Sequence, residues 1–189
     1  MALGERFDEI LAAAQKGAPW ALEAIYREFQ PGVLAFMRAR AGGEAEDLAA
    51  DVFVAAAEGL PRFEGGEAGF RSWLYTIAYR KVGQLRRRQG RRKTEPAPIG
   101  DVVEHVAPGD AEADAMTALA TEAALARIAA LPPAQAEVVL LRVVADLSVD
   151  EVAAIVGKRP AAVRALQHRA LLRLARTRIE NPEDPGSEP

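Results

Sequence analysis

With 189 residues, half of them apolar, the chain can bury the core of one domain or of two small ones, and charges interrupt every apolar run before it could cross a bilayer. The absence of cysteine excludes disulfides, thiolate nucleophiles and cysteine zinc sites. The formal net charge of -3 conceals two basic blocks that together hold 16 of the 24 Lys and Arg, leaving 8 bases against 27 acids elsewhere, a balance of -19.

Strand signals are nearly absent while Ala, Leu, Glu and Arg dominate, so the expected fold is all-α, as two small helical domains joined by a flexible linker. The N-terminal MALGERFDEILAAAQKG carries early acids and no signal-peptide pattern, which predicts a soluble cytoplasmic protein. Phe7 to Lys16 reads as a first helix stopped by Gly17. Pro19 suits a first helical position, and Leu22, Ile25, Tyr26 and Phe29 follow at helical spacing. Pro31 is expected to break or kink that helix, with a second stretch running to Arg40 before Gly42-Gly43. Glu44 to Glu58 predicts a further helix, ended by Gly59-Leu60-Pro61, and the loop RFEGGEAG follows. Phe70 then opens a long helix with Phe70, Leu74, Ile77 and Leu85 on one face.

That helix runs into the first basic block, Arg71 to Lys93, with nine bases and no acid. Phe70, Trp73, Tyr75 and Tyr79 stand beside Arg80, Lys81, Arg86, Arg87 and Arg88. Aromatics next to cations hold unpaired bases by stacking and cation–π contact, and the Gly-rich loop with Phe63 is able to fold around one extruded base. The alternatives are a core role for the aromatics and a plain connector for the loop. On the preceding helix, Asp47 and Asp51 lie one turn apart beside Leu48, Val52 and Phe53. Such carboxylates suit docking on a partner protein, metal binding or acid–base work.

Thr94 to Ala126 has seven acids, no base and three prolines, a linker composition in which Ala111 to Ala126 could begin the next helix. The domains expected are 1–93, 123–180, the linker 94–122 between them and a disordered tail 181–189. One reading of the linker acids is that they fold the two basic blocks together and mask them; the other is a solvated tether.

In the second half, Ser148-Val149-Asp150-Glu151 is a capping box, Gly157 supplies a left-handed turn residue and Pro160 a first helical position. Together they predict a helix-turn-helix leading into the second basic block, Lys158 to Arg178, with seven bases and no acid. Val163, Leu166, Ala170 and Leu174 take the inward face; Ala161, Arg164, Ala165 and His168 take the other. Small residues there let the backbone approach base edges, Arg164 has the fork for a guanine, and Arg159 and Arg169 can hold phosphates. A three-helix bundle with an exposed basic face is the alternative.

These features, in this order, resemble the extracytoplasmic-function sigma factors of bacterial RNA polymerase, which belong to the sigma-70 family. AEDLAADVFVAA (Ala45 to Ala56) is similar to the family's region 2.2, GFRSWLYTIAYRKVGQLRRR (Gly69 to Arg88) to its promoter-melting segment, and the stretch from Leu131 to Leu171 to region 4. The resemblance implies an alternative sigma factor, not an enzyme, that needs no metal or cofactor. Asp47, Leu48, Asp51 and Val52 would meet the β′ clamp of core RNA polymerase, with a further contact from the β flap. Phe63, Trp73, Ile77, Arg80, Lys81, Gln84, Arg87 and Arg88 would hold the −10 element as single strand. Arg159, Ala161, Arg164, Ala165, His168 and Arg169 would read the −35 element as duplex. An anti-sigma factor, wedged between the domains and able to hold the protein at the membrane, is a further implied partner. Arg80 and Gln84 stand where Asn and Asp are common in the family, and Arg164-Ala165-Leu166 where Lys-Ser-Arg is common, so neither promoter element's sequence carries over from relatives; Ala50 stands where Gln is common, which implies a weaker polymerase contact there. Two other functions fit parts of the pattern: a helix-turn-helix regulator acting without polymerase, and a nucleic-acid enzyme using Asp47 and Asp51 as metal ligands.

Overall fold

The computed structural model describes residues 3–92 and 122–180. The interior of the linker, the helix start expected near Ala111 and the tail lie outside the described residues. Within them the secondary structure is helical, with no strand. Four helices build the first unit: α1 (Phe7–Gln15), α2 (Pro19–Ala41), α3 (Ala45–Gly59) and α4 (Glu67–Arg92). The second has α5 over residues 122–129, α6 (Pro133–Val143), α7 (Val149–Val156) and α8 (Pro160–Glu180).

Helix α2 corrects the expectation of a break at Pro31. It runs through the proline for 23 residues. Its buried residues Ile25, Phe29, Val33, Phe36 and Met37 continue in steps of three and four on both sides of Pro31. Proline costs a helix one hydrogen bond and some straightness. Burial of five large apolar side chains, at about 1.5–3 kcal/mol each, outweighs that. Helix α3 starts one residue later than expected, because Gly42–Glu44 form a single 3₁₀ turn before it. Helix α4 starts three residues earlier than Phe70: Glu67, in its first turn, accepts the Gly4 N–H at 2.9 Å and pairs with Arg71 at 3.0 Å.

Phe70 is the centre of the first unit. It is 1% exposed, and the rings of Phe7, Phe29, Phe63 and Trp73 lie 5.2 to 5.6 Å from it, centroid to centroid. Leu74, Tyr75, Ala78, Val82 and Leu85 extend the buried stripe of α4, while Ile77 is only half-buried.

In the second unit the apolar run of α6 is buried from Ala136 to Leu141. The Ser148 Oγ accepts the Glu151 N–H at 3.2 Å, and the Glu151 carboxylate accepts the Ser148 N–H at 2.7 Å, completing the capping box. Gly157 ends α7 at φ 65° and ψ 38°, a left-handed conformation glycine adopts freely. Ser148→Ala is expected to cost about 1 kcal/mol through loss of the cap, read as a lower denaturant midpoint with an unchanged slope.

The units pack against each other. The turn after α6 places Val144 and Ala145 beside Gly32 and Tyr75. Asp146, at φ 51°, brings its carboxylate 3.9 Å from Arg71.

Candidate nucleic-acid interface

Helix α4 presents two stripes with different fates. Tyr75, Tyr79, Val82 and Arg86, in steps of three and four, turn toward the rest of the protein; Tyr75 and Val82 are buried and Tyr79 and Arg86 partly so. Trp73, Ile77, Arg80, Gln84 and Arg87 or Arg88 form the other stripe. Arg80, Gln84, Arg87 and Arg88 are exposed, and Trp73 and Ile77 are half-buried. The outward stripe is therefore cationic at one end and aromatic at the other.

The aromatic end is a built structure. The Trp73 ring lies 5.1 Å from that of Phe63, tilted by 35°. Its six-membered edge rests over Gly59, where a Cβ would come within 2.7 Å of the ring, so only glycine fits beneath it. The loop carrying Phe63 is tied to α1: the Gln15 amide donates to the Leu60 carbonyl at 3.1 Å and to the Phe63 carbonyl at 2.8 Å. Gly65 turns that loop at φ 143°. Phe70 is core, whereas Phe63 and Trp73 keep part of their surface in solvent.

On α3 the structure corrects half of the expected docking set. Leu48 is 4% and Val52 0% exposed. Both lie on the face that buries Ala45, Ala49 and Ala56, so neither side chain is available to a partner. Asp47 and Asp51 are exposed. Asp51 also pairs with Lys81 of α4 at 3.0 Å, which joins a residue expected to meet polymerase with one expected to meet DNA. Among the described residues no group of three or more His, Asp or Glu is arranged to hold a metal ion.

The second unit carries the other basic face. Arg159, Ala161, Arg164, Ala165, His168 and Arg169 are all exposed, while Val163 and Ala170 are fully buried, with Leu166 and Leu174 half-buried beside them. Helix α8 thus offers a narrow cationic edge lined by small side chains, on an apolar foundation shared with α6 and α7.

One cluster was not foreseen. The Glu137 carboxylate of α6 is held by Arg40 of α2 at 3.4 Å, by Arg86 of α4 and by the Tyr79 hydroxyl at 3.5 Å. Burial first, then the charge and hydrogen bond of Glu137, raise the Tyr79 phenol above its ordinary value, so that it donates as a neutral O–H. The sequence contained a signal: Glu137 is the one acid inside an otherwise apolar run, AEVVLL.

Both units match known families. Residues 25–92 match the family model Sigma-70 region 2, and residues 121–174 match Sigma-70, region 4. The chain is 36% identical over 184 residues to the ECF RNA polymerase sigma factor SigD of Mycobacterium tuberculosis, covering 90% of this chain and 83% of that protein. Identity to the ECF RNA polymerase sigma factor ShbA of Streptomyces griseus is 32% over 170 residues, covering 85% of this chain and 89% of that one. In fold it is similar to CnrH, solved in complex with the cytosolic domain of CnrY, at a TM-score of 0.60 and 21% identity over 95% of this chain and 100% of that chain. The sigma factor RpoE of Bartonella quintana, solved with the anti-sigma factor NepR, gives 0.60 and 23% over 80% of this chain and 92% of that one.

Proposed function

The chain belongs to the extracytoplasmic-function sigma factors of the sigma-70 family, alternative sigma factors that direct promoter-specific transcription, and we propose how its two basic faces share that task. The outward stripe of α4 lies along the unpaired strand of the −10 element. Arg80, Arg87 and Arg88 meet phosphates, with Lys81, once released from Asp51, beside them. Trp73, Ile77 and Gln84 face bases, and the Phe63 loop takes one flipped base. Stacking on an aromatic is worth about 1–3 kcal/mol per base, which offsets the few kcal/mol needed to unstack it. The exposed edge of α8 enters the major groove of the −35 element, with Arg164 toward a base and Arg159 and Arg169 toward phosphates.

The observation that carries this reading is the contrast between the faces. Aromatic rings flank the cations of α4, as separated strands require. Alanines flank those of α8, as close approach to a duplex requires. About 30 residues lie between the units, a length of chain that at full extension reaches about 100 Å. That spans promoter elements two helical turns, about 70 Å, apart.

Asp47 and Asp51 dock the first unit on the β′ clamp of core polymerase, and the second unit meets the β flap. Bond chemistry stays with the polymerase, and the chain contributes binding alone, without a cofactor. A protein with this task works in the cytoplasm, beside the chromosome. An anti-sigma partner belongs to the same reading, since CnrH and RpoE, which share the fold, were each solved with a binding partner.

Reconstituted transcription with core polymerase on a promoter library tests the proposal: a single bipartite promoter class is the expected product, and no polymerase-dependent initiation would refute it. Asp47→Lys with Asp51→Lys should weaken association with core polymerase about tenfold and flatten its salt dependence, because salt screens the repulsion that replaces an attraction. Both residues are exposed, so the thermal midpoint should hold. Asp47→Lys alone separates docking from loss of the Asp51–Lys81 pair.

A further inference from the structure

Glu137 occupies a site with more donors than it can use. Arg40 has a side-chain exposure of 7%, and its Nε has no hydrogen-bond partner among the described residues. Nη2 of Arg86 is likewise buried without a partner. Two guanidinium forks and one phenol O–H converge on a single carboxylate, leaving a net positive charge and unmet donors. Buried donors without acceptors are costly, so the pocket is better matched to a tetrahedral anion than to a planar one. Its location narrows the anion further. Arg86 belongs to the same basic block as Arg87 and Arg88, which face solvent one and two residues on.

We propose that Arg40, Tyr79 and Arg86 form a seat for a backbone phosphate of single-stranded DNA, which Glu137 fills while the two units are packed together and vacates when they part. This rests on the reading of α4 as a strand-holding helix. Glu137 and the strand then exclude each other, so DNA capture and separation of the units are one coupled equilibrium. The other contacts between the units are the 3.9 Å approach of Asp146 to Arg71, the Val144–Ala145 turn against Gly32 and Tyr75, and the packing of α7 on α4, all of which part together in this exchange. The unit that reads duplex thereby also controls access to the helix that holds single strand.

The test uses the full chain and a fluorescent oligodeoxythymidine strand, titrated across a salt series without polymerase. Glu137→Gln should tighten binding about tenfold, within the range that site coupling gives. Adding Arg40→Gln in that background should reverse most of the gain and flatten the plot of log affinity against log salt by about 0.7, one single-strand phosphate contact. An unchanged slope and affinity on adding Arg40→Gln would overturn the seat. Small-angle scattering of the unmutated chain needs no variant to fold: saturating strand should expand the particle, and an unchanged radius at saturation would overturn the exclusion by Glu137. Transcription with core polymerase, run on the same preparations, distinguishes the two levels. An inactive native chain with the oligonucleotide results intact would remove the sigma-factor mechanism and leave the seat. An active native chain whose Arg40→Gln change leaves strand binding untouched would remove the seat alone.

Discussion

Phe70→Ala is expected to destabilise the first unit by about 3–5 kcal/mol, the range for deleting a fully buried aromatic. The residue is 1% exposed and touches four other rings, contributed by α1, by α2, by the loop before α4 and by α4 itself. Each ring pair adds about 0.5–1.5 kcal/mol beyond the area it buries, and no neighbour can collapse into the space without abandoning its own partner. Much of a small domain's total stability, about 5–15 kcal/mol, would be lost. The denaturant midpoint should fall while the second unit keeps its own transition. The functional result follows from the same geometry, because Phe63 and Trp73 both lean on Phe70 and would lose their orientation. Phe63→Ala, at a half-buried position, should cost far less stability and yet impair strand opening. A loss below 1 kcal/mol in Phe70→Ala would show that the cluster is not the centre of the fold.

Arg164→Ala is expected to relax base preference at one position of the −35 element, with a loss of about 1–3 kcal/mol against the preferred sequence and little against others. Arg159→Ala and Arg169→Ala should behave differently. A phosphate contact carries no sequence information, so each should weaken binding to all duplexes alike and reduce the salt slope by about 0.9. Selection of bound duplexes from a randomised pool, with polymerase present, measures both effects. All three side chains are exposed, so folding should be unaffected. If Arg164→Ala changed affinity uniformly, with no shift in preference, this residue would be a phosphate contact and base reading would fall to its neighbours.

Much of this architecture could be read from local sequence because its determinants are local. The capping box at Ser148, the left-handed Gly157 and Pro160 at a helix start each act within one turn, and the structure reproduces all three. The outward and inward faces of α8 likewise follow from periodicity alone. Pro31 does not break α2, because its helix-breaking tendency is local, whereas the packing of Phe29, Val33 and Phe36 that overrides it is not. Leu48 and Val52 fall within the docking motif because a family motif is a run of consecutive letters, while a helix presents only one face to a partner. Their spacing with Ala45, Ala49 and Ala56 already pointed inward. The Glu137 cluster was out of reach for a different reason. Arg40 and Arg86 lie 97 and 51 residues away from it in the chain, and no periodicity joins such positions.

The two hydrogen bonds from Gln15 to the loop carrying Phe63 have a consequence for kinetics. A receptor loop that must first organise itself spends part of its binding energy on its own ordering and slows every productive encounter. If the Phe63 loop is such a receptor, that ordering is done in advance, by a residue that precedes the family-matched segment. An arriving base would meet a rigid receptacle, and the wait for initiation would lie in the DNA, in how often a base swings out, rather than in the protein.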